Sequence, residues 1–449
     1  MLLILALALQ TGAGEREELL SKAEESIRQA AERVKDDPAR PSYHVLSPAQ
    51  WINDPNGPLF HDGWYHLFYQ HNPYGDEWGH MHWGHVRSKD LAHWERLPLA
   101  LWPSKSKGED HVFSGSAAVT KKGEVLLFYT SIGKRAPEQW VAIPEDRDLL
   151  RWKKHPANPV LAASQHGDVQ VHEWRDPYVF RSIGGRAYMV CGGNLNATKG
   201  GEAAVFLYRA EDEDLLKWKY LGVLFKHPDV SVKNIECPIF FNAGAKWVLI
   251  VSPHRLPDYF TGDFDEERGT FKTEARGIVD PGHFYAPSVC PDGKGRLLLW
   301  GWVNGFPAKK GWRHCLTLPR GLGVGAAGEL LQEPAPELEA LRGERRMLEP
   351  GKPERLDRRA AELILGEGAL VRIGKSEVSA SGGKLIVAGK SVDLPAAAGR
   401  IRVFWDGTLL EVYAAGGRIA MSRVIPLEEP TVEAEGAGVE LWPLRPGWK

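Results

Sequence analysis

The chain has 449 residues, with 56 Lys plus Arg against 58 Asp plus Glu and a formal net charge of −2. That length exceeds one small domain, and 43% hydrophobic residues exclude global disorder. A near-neutral chain without a basic run excludes a dedicated nucleic-acid binder, which needs a positive footprint for phosphates. The 48 Gly and 31 Pro suit many short strands and turns, and the 17 Trp suit both cores and flat surfaces on which a sugar ring stacks. Four cysteines, Cys191, Cys237, Cys290 and Cys315, lie far apart with no CxxC pair. This excludes a zinc knuckle or a disulfide-dense scaffold and leaves one or two disulfides open.

Residues 2–9 form a short apolar run, followed by small residues at 11–13. Residues 1–13 read as a signal peptide, which directs the chain to a secreted or periplasmic location. Read as an ordinary N-terminus, the same run leaves the chain cytoplasmic. The run is too short to span a bilayer, so no stable membrane insertion is expected. Residues 14–39 read as a short helical extension. Leu20, Ala23, Ile27, Ala31 and Val34 recur at three- and four-residue steps and form one apolar stripe.

From residue 40 a repeat takes over. A turn glycine followed by an apolar strand recurs at Gly63, Gly123, Gly185, Gly244 and Gly295, spaced 60, 62, 59 and 51 residues apart. A second marker repeats at Asp90–Trp94, Asp148–Trp152 and Asp214–Trp218. Periods of this size built from short strands predict radial repetition of small antiparallel sheets, a five-bladed β-propeller over residues 40–325.

The repeat aligns polar residues. Counting back 9, 9, 9, 8 and 9 residues from the turn glycines gives Asp54, Ser114, Asp176, Glu236 and Ala286. Equivalent positions at the start of the inner strands ring the central channel, so Asp54, Asp176 and Glu236 are expected to converge. Like charges in one funnel repel, which chemistry must justify. Glycoside cleavage needs a carboxylic acid to protonate the leaving oxygen and a carboxylate as nucleophile or base. The apolar flank of Glu236 (Ile235, Cys237, Pro238, Ile239) is expected to raise its pKa and suit it to acid/base work. Amides of Asn53 and Asn56 are expected to keep Asp54 ionised as a nucleophile, and Arg175 to keep Asp176 charged. The histidines His61, His66, His71, His80, His82 and His85 form a weaker metal candidate, with His80 and His82 on one strand face. Packing beside tryptophans is favoured over metal binding for these rings.

Trp51-Ile-Asn-Asp-Pro-Asn-Gly57 resembles the sucrose-box motif of the β-fructosidase family, glycoside hydrolase family 32, which includes invertases, levanases and inulinases. Tyr69-Gln-His-Asn-Pro73, Phe113-Ser-Gly-Ser116, Arg175-Asp-Pro177, Glu236-Cys-Pro238, Tyr285-Ala-Pro287 and Leu318-Pro-Arg320 follow in the family's order. Arg402–Tyr413 is similar to its β-sandwich signature. The resemblance implies an all-β chain: a five-bladed propeller followed by a C-terminal β-sandwich. It implies release of terminal β-D-fructofuranosyl residues from sucrose or fructans through a fructosyl-enzyme intermediate, with no metal and no cofactor. A fructosyltransferase, or a catalytically weak fructan-binding homologue, is the alternative. Asp54 matches the nucleophile, Glu236 the acid/base and Asp176 the transition-state stabiliser. Asn53, Gln70, Trp78, Phe113, Ser114 and Arg175 match positions that hold the terminal fructose. Trp51 and Cys237, within the same motifs, join them, and Trp302 is a candidate for the funnel wall. Ile235 and Ile239 depart from the family's usual Trp and Asp, and Trp174 from its usual Phe.

Residues 326–360, rich in Glu, Arg, Pro and Leu, read as a helical or extended linker. Short alternating strands then run through 361–449, as a small β-sandwich requires. Oligomeric state is not legible in the sequence.

Overall fold

The structure, a computed structural model, describes residues 2–448 apart from 198–199, 367, 396–397 and 437, with side chains from Gly14 onward. Five antiparallel sheets form the propeller. Their first strands are Gln50–His61, His111–Val119, Val171–Arg181, Glu236–Asn242 and Phe284–Pro291. Each first strand packs against those of the neighbouring blades, so the five make a closed inner ring. The first four blades run outward in chain order, each strand hydrogen-bonded to the next.

The repeated Asp-to-Trp marker has a local cause. Trp94, Trp152 and Trp218 each start the fourth strand of a blade. Each indole N–H donates to the carbonyl three residues earlier, on Leu91, Leu149 and Leu215. Those leucines hold φ of 62°, 57° and 59° and are buried. A left-handed leucine is strained, and the buried leucine and the indole bond together outweigh that strain.

The ring closes through a parallel pairing of Gln50 with Trp312 and Trp51 with Arg313. The stretch 326–360 is corrected in part from linker to sheet. Leu330–Pro334 is the outer strand of blade five, whereas Arg346–Met347 and Glu354–Arg355 pair with sandwich strands. The sandwich has two six-stranded sheets. Leu363, Val371, Val403, Trp405, Val412 and Met421 lie among its buried core residues.

The expected N-terminal helix runs Leu2–Val34. Ala23 and Ile27 bury against Leu99, and Ala30 and Val34 against Val303, Phe306 and Trp312, so the helix crosses the seam between blades one and five. The side chains of the apolar run at 2–9 lie outside the described residues. No helix among the described residues is long and apolar enough to cross a membrane. The four cysteines are free and buried.

Candidate active site

The inner strands share one irregularity. In every blade the pairing between first and second strand slips by one residue near the strand's start. Two residues then face one: Asn53 and Asp54, Phe113 and Ser114, Asp176 and Pro177, Cys237 and Pro238, and Ala286 and Pro287. Such a bulge bends the strand and re-aims its side chains. Asp176, Cys237 and Ala286 take φ of 62°, 44° and 43° there. In blades three to five the paired residue just before the bulge is Arg175, Glu236 and Tyr285. Glu236 is therefore one position out of the register read from the glycines, because the hairpin of blade four is one residue shorter than those of blades three and five. It stands with Arg175 and Tyr285, while Cys237 stands with Asp176.

This geometry gathers the site. Ser114 Oγ donates to Asp54 Oδ2 at 2.5 Å, and Asn53 Nδ2 donates to Asp54 Oδ1 at 3.1 Å. Cys237 N–H donates to Asp176 Oδ2 at 2.8 Å. The Cys237 sulfur lies 3.6 Å from Oδ2 of both Asp54 and Asp176, so one thiol touches both carboxylates. Arg175 pairs through Nη2 with Glu236 Oε1 and lies 3.9 Å from Asp176. Tyr285 donates its hydroxyl to Glu236 Oε2 at 2.7 Å. Blades one, three and four thus supply the acids, and the arginine ties two of them together.

A directed chain of bonds ends on Asp54. Trp51 Nε1–H donates to Asn53 Oδ1 (2.7 Å), and Asn53 Nδ2 to Gln70 Oε1 (2.8 Å). Gln70 Nε2 then donates to Ser114 Oγ (2.9 Å), which passes its own proton to Asp54. Each amide is oriented by the donor before it, so the serine hydroxyl has one direction left.

The electrostatics correct three expectations. Glu236 is held below its ordinary value, not above it. Burial pushes it up, but the Arg175 guanidinium and the Tyr285 hydroxyl outweigh burial. Ile235 and Ile239 do not set its environment, because both are buried in the hydrophobic core between blades three and four. Asp54 is raised by burial against the bonds from Ser114 and Asn53. Asn56 does not reach its carboxylate; Nδ2 donates to the Asp54 backbone carbonyl at 3.2 Å. Asp176 is pushed up to about 7, because burial and the Glu236 charge exceed the pull of Arg175.

Aromatic rings flank these residues. Trp78 is 51% exposed and meets Phe113 edge-on at 6.0 Å between centroids. Trp302 meets Trp51 at 5.8 Å and Tyr285 at 6.2 Å. His314 fills the corner between Trp51 and Trp302. Of the histidine cluster, His66 Nδ1 faces His85 Nε2 at 3.0 Å, and His85 stacks on Phe68. His80 precedes the strand that begins at His82, so the two do not share a strand face.

Sequence reasoning missed two contacts of the acid. Tyr285 was legible as a motif residue but carried no role; its place just before a bulge was the signal. His254, 3.8 Å from Glu236 Oε2, comes from the turn after the second strand of blade four and left no signal.

Comparison with known proteins bears on this arrangement. The family model for the glycosyl hydrolases family 32 N-terminal domain matches residues 44–334. A β-fructofuranosidase, insoluble isoenzyme, of Arabidopsis thaliana is 33% identical over 68% of this chain, and the chain spans 57% of that relative's length. A sucrose-6-phosphate hydrolase of Zymomonas mobilis is 34% identical over 72% of this chain and 67% of its own length. Among solved structures, a family 32 β-fructofuranosidase of Bombyx mori superposes with a TM-score of 0.85 at 30% identity, covering 96% of this chain and 99% of its own.

Proposed function

This chain belongs to glycosyl hydrolase family 32, a glycoside hydrolase by descent, and from that premise we propose that it is an exo-acting, retaining β-fructofuranosidase. Its substrate is sucrose or a fructan bearing a terminal β-D-fructofuranosyl residue. The observation that carries the reading is the convergence of three carboxylates and one arginine on neighbouring inner-strand bulges beside aromatic rings.

In this reading Asp54 attacks the anomeric carbon while Glu236 protonates the leaving oxygen. Water then attacks the fructosyl ester, with Glu236 as base, and Asp54 departs with retention. Asp176 accepts hydroxyls of the ring and steadies positive charge at the anomeric centre. The bonds from Ser114 and Asn53 leave Asp54 one reactive face. The pKa order supports a proton that moves on binding. Burial and the Glu236 charge push Asp176 up to about 7, which makes it the acid that holds a proton nearest neutrality. Sugar hydroxyls donating to Asp176 favour its ionised form. Exclusion of water around Glu236 then draws the proton to the residue that must deliver it. Asn53, Gln70, Trp78, Phe113, Ser114, Arg175, Cys237, Trp51 and Trp302 hold the glycone or wall the funnel.

The test is product analysis over time with sucrose, sucrose-6-phosphate, 1-kestose, inulin and levan. Release of free fructose from one or more of them is expected. Longer oligomers as main products indicate a transferase on the same site. Binding without turnover on all five overturns the hydrolase. For location, export with loss of residues 1–13 is the reading the apolar run supports, and N-terminal sequencing of the mature protein from its source cells decides it.

A further inference from the structure

Tyr285 sits two residues after a segment that propeller and sandwich hold between them; from the propeller side Asn304 N–H donates to the His283 carbonyl at 3.1 Å. Within residues 280–283, the main-chain partner of His283 N–H is the Ser422 carbonyl of the sandwich, at 2.6 Å. Ser422 belongs to the sandwich edge strand Ile419–Val424. Its own N–H and hydroxyl bond the Asp280 carboxylate, at 3.0 and 2.9 Å to Oδ2. Arg320 closes the group with Nη2 on Asp280 Oδ2 and on Ser422 Oγ, at 2.9 and 2.7 Å. Val424 N–H donates to His283 Nδ1 at 2.9 Å. The approach is close: a Cβ on Gly282 would stand 2.0 Å from the Ser422 oxygen. Only glycine permits this contact.

Tyr285 in turn offers one proton to two acceptors. Its hydroxyl lies 2.7 Å from Glu236 Oε2 and 3.1 Å from the Ser252 carbonyl, and it accepts the His254 N–H at 2.9 Å. A small shift of the strand start changes which acceptor it serves.

We propose that the sandwich edge strand Ile419–Val424 is a positioning element for catalysis: by clamping residues 280–283 it holds the Tyr285 hydroxyl on the Glu236 carboxylate. Tyr285 and the clamp residues are positioning residues, and the proposal rests on Glu236 being the acid. The bond from Tyr285 stabilises the ionised carboxylate, so loosening it makes Glu236 hold its proton to higher pH. The test is the pH profile of kcat in the full chain. Tyr285→Phe is expected to move the limb on which the acid loses its proton to higher pH. Gly282→Ala, which wedges the clamp open, is expected to move it the same way by less. The double variant is expected to shift no further than Tyr285→Phe alone, because both act on one bond. Val371→Ala, in the sandwich core on the sheet that does not contain the clamp strand, is expected to lower the unfolding midpoint and leave the limb in place. If Gly282→Ala behaves like Val371→Ala, the clamp idea is overturned while the acid assignment stands. Full turnover in Glu236→Gln overturns the assignment instead. Should Gly282→Ala not fold, Ser422→Ala carries the same test, and an unmoved limb there overturns the clamp.

Discussion

Two clusters of carboxylates share cations in this molecule, and they are finished differently. At the funnel, Asp176 and Glu236 share Arg175, and the Cys237 thiol touches both Asp54 and Asp176. Between propeller and sandwich, Asp280, Asp406 and Glu411 face Arg320 and His44, all fully buried. In the second cluster every carboxylate oxygen has a donor. Asp406 Oδ1 takes Ser42 N–H and hydroxyl, and Oδ2 takes Tyr43 N–H, His44 N–H and His44 Nδ1. Glu411 takes Leu318 N–H and His44 Nε2 on one oxygen, Arg320 and the Tyr413 hydroxyl on the other. Asp280 takes Gly282 N–H and the N–H and hydroxyl of Ser422, with Arg320. At the funnel, donors among the described residues reach Asp176 through one oxygen only. The same charges stabilise where backbone N–H groups complete them and stay reactive where they are left for a ligand to complete.

The largest effect expected from breaking this contrast is catalytic. Asp54→Asn and Glu236→Gln should each lower kcat about a thousandfold or more while circular dichroism and the unfolding midpoint stay near the parent's. Next comes the finished cluster. Arg320→Met or Glu411→Gln leaves a buried charge or donor without its partner and should cost about 3–5 kcal/mol in denaturant titration, with activity falling only as the folded fraction falls. Asp176→Asn should do the opposite of Glu411→Gln. Its ionised form is disfavoured in the fold, so the substitution should raise stability by about 1 kcal/mol and abolish turnover. A fall in its unfolding midpoint would erase the distinction between the clusters.

The smallest effect is a slope. His44 is pushed from 6.5 up to about 9; burial lowers it, and the bonds from Asp406 and Glu411 overcome burial. Its contribution is fully present below pH 6.5 and is lost as pH rises through 9. Glu411 is held down to about 2 against burial by Arg320 and His44, so its contribution is fully present above pH 4.5 and is lost as pH falls from there through about 2. His44→Gln should flatten the fall of stability between pH 6.5 and 9, measured by thermal unfolding across that range.

Much of this was legible in the residues. The turn glycines and the Asp-to-Trp marker gave the blades, because each reflects a local hydrogen bond that recurs wherever the strand geometry recurs. The three acids followed from position in the repeat. Their charge states did not follow, since Arg175 reaches Glu236 across 61 residues and Tyr285 across 49. Flanking residues were a poor guide: Ile235 and Ile239 lie in the core, while Glu236, beside the bulge, faces the arginine. The single-residue offset of Glu236 was invisible because the hairpin of blade four is one residue shorter than those of blades three and five, and the glycine spacing does not show it. The second cluster left only separate residues: Arg320 and Glu411 each lie inside a motif, and neither is marked as a partner of the other or of His44.

The parallel seam between residues 50–51 and 312–313 has a kinetic consequence. Contacts so distant in sequence form late, since loop closure must be achieved before they reward the chain. During synthesis, blade one emerges first and waits for blade five before its inner edge is covered. Trp51, which sits in that seam, also starts the bond chain that orients Ser114 onto Asp54. A chain that lacks blade five therefore lacks the pairing that seats Trp51 at the head of that bond chain.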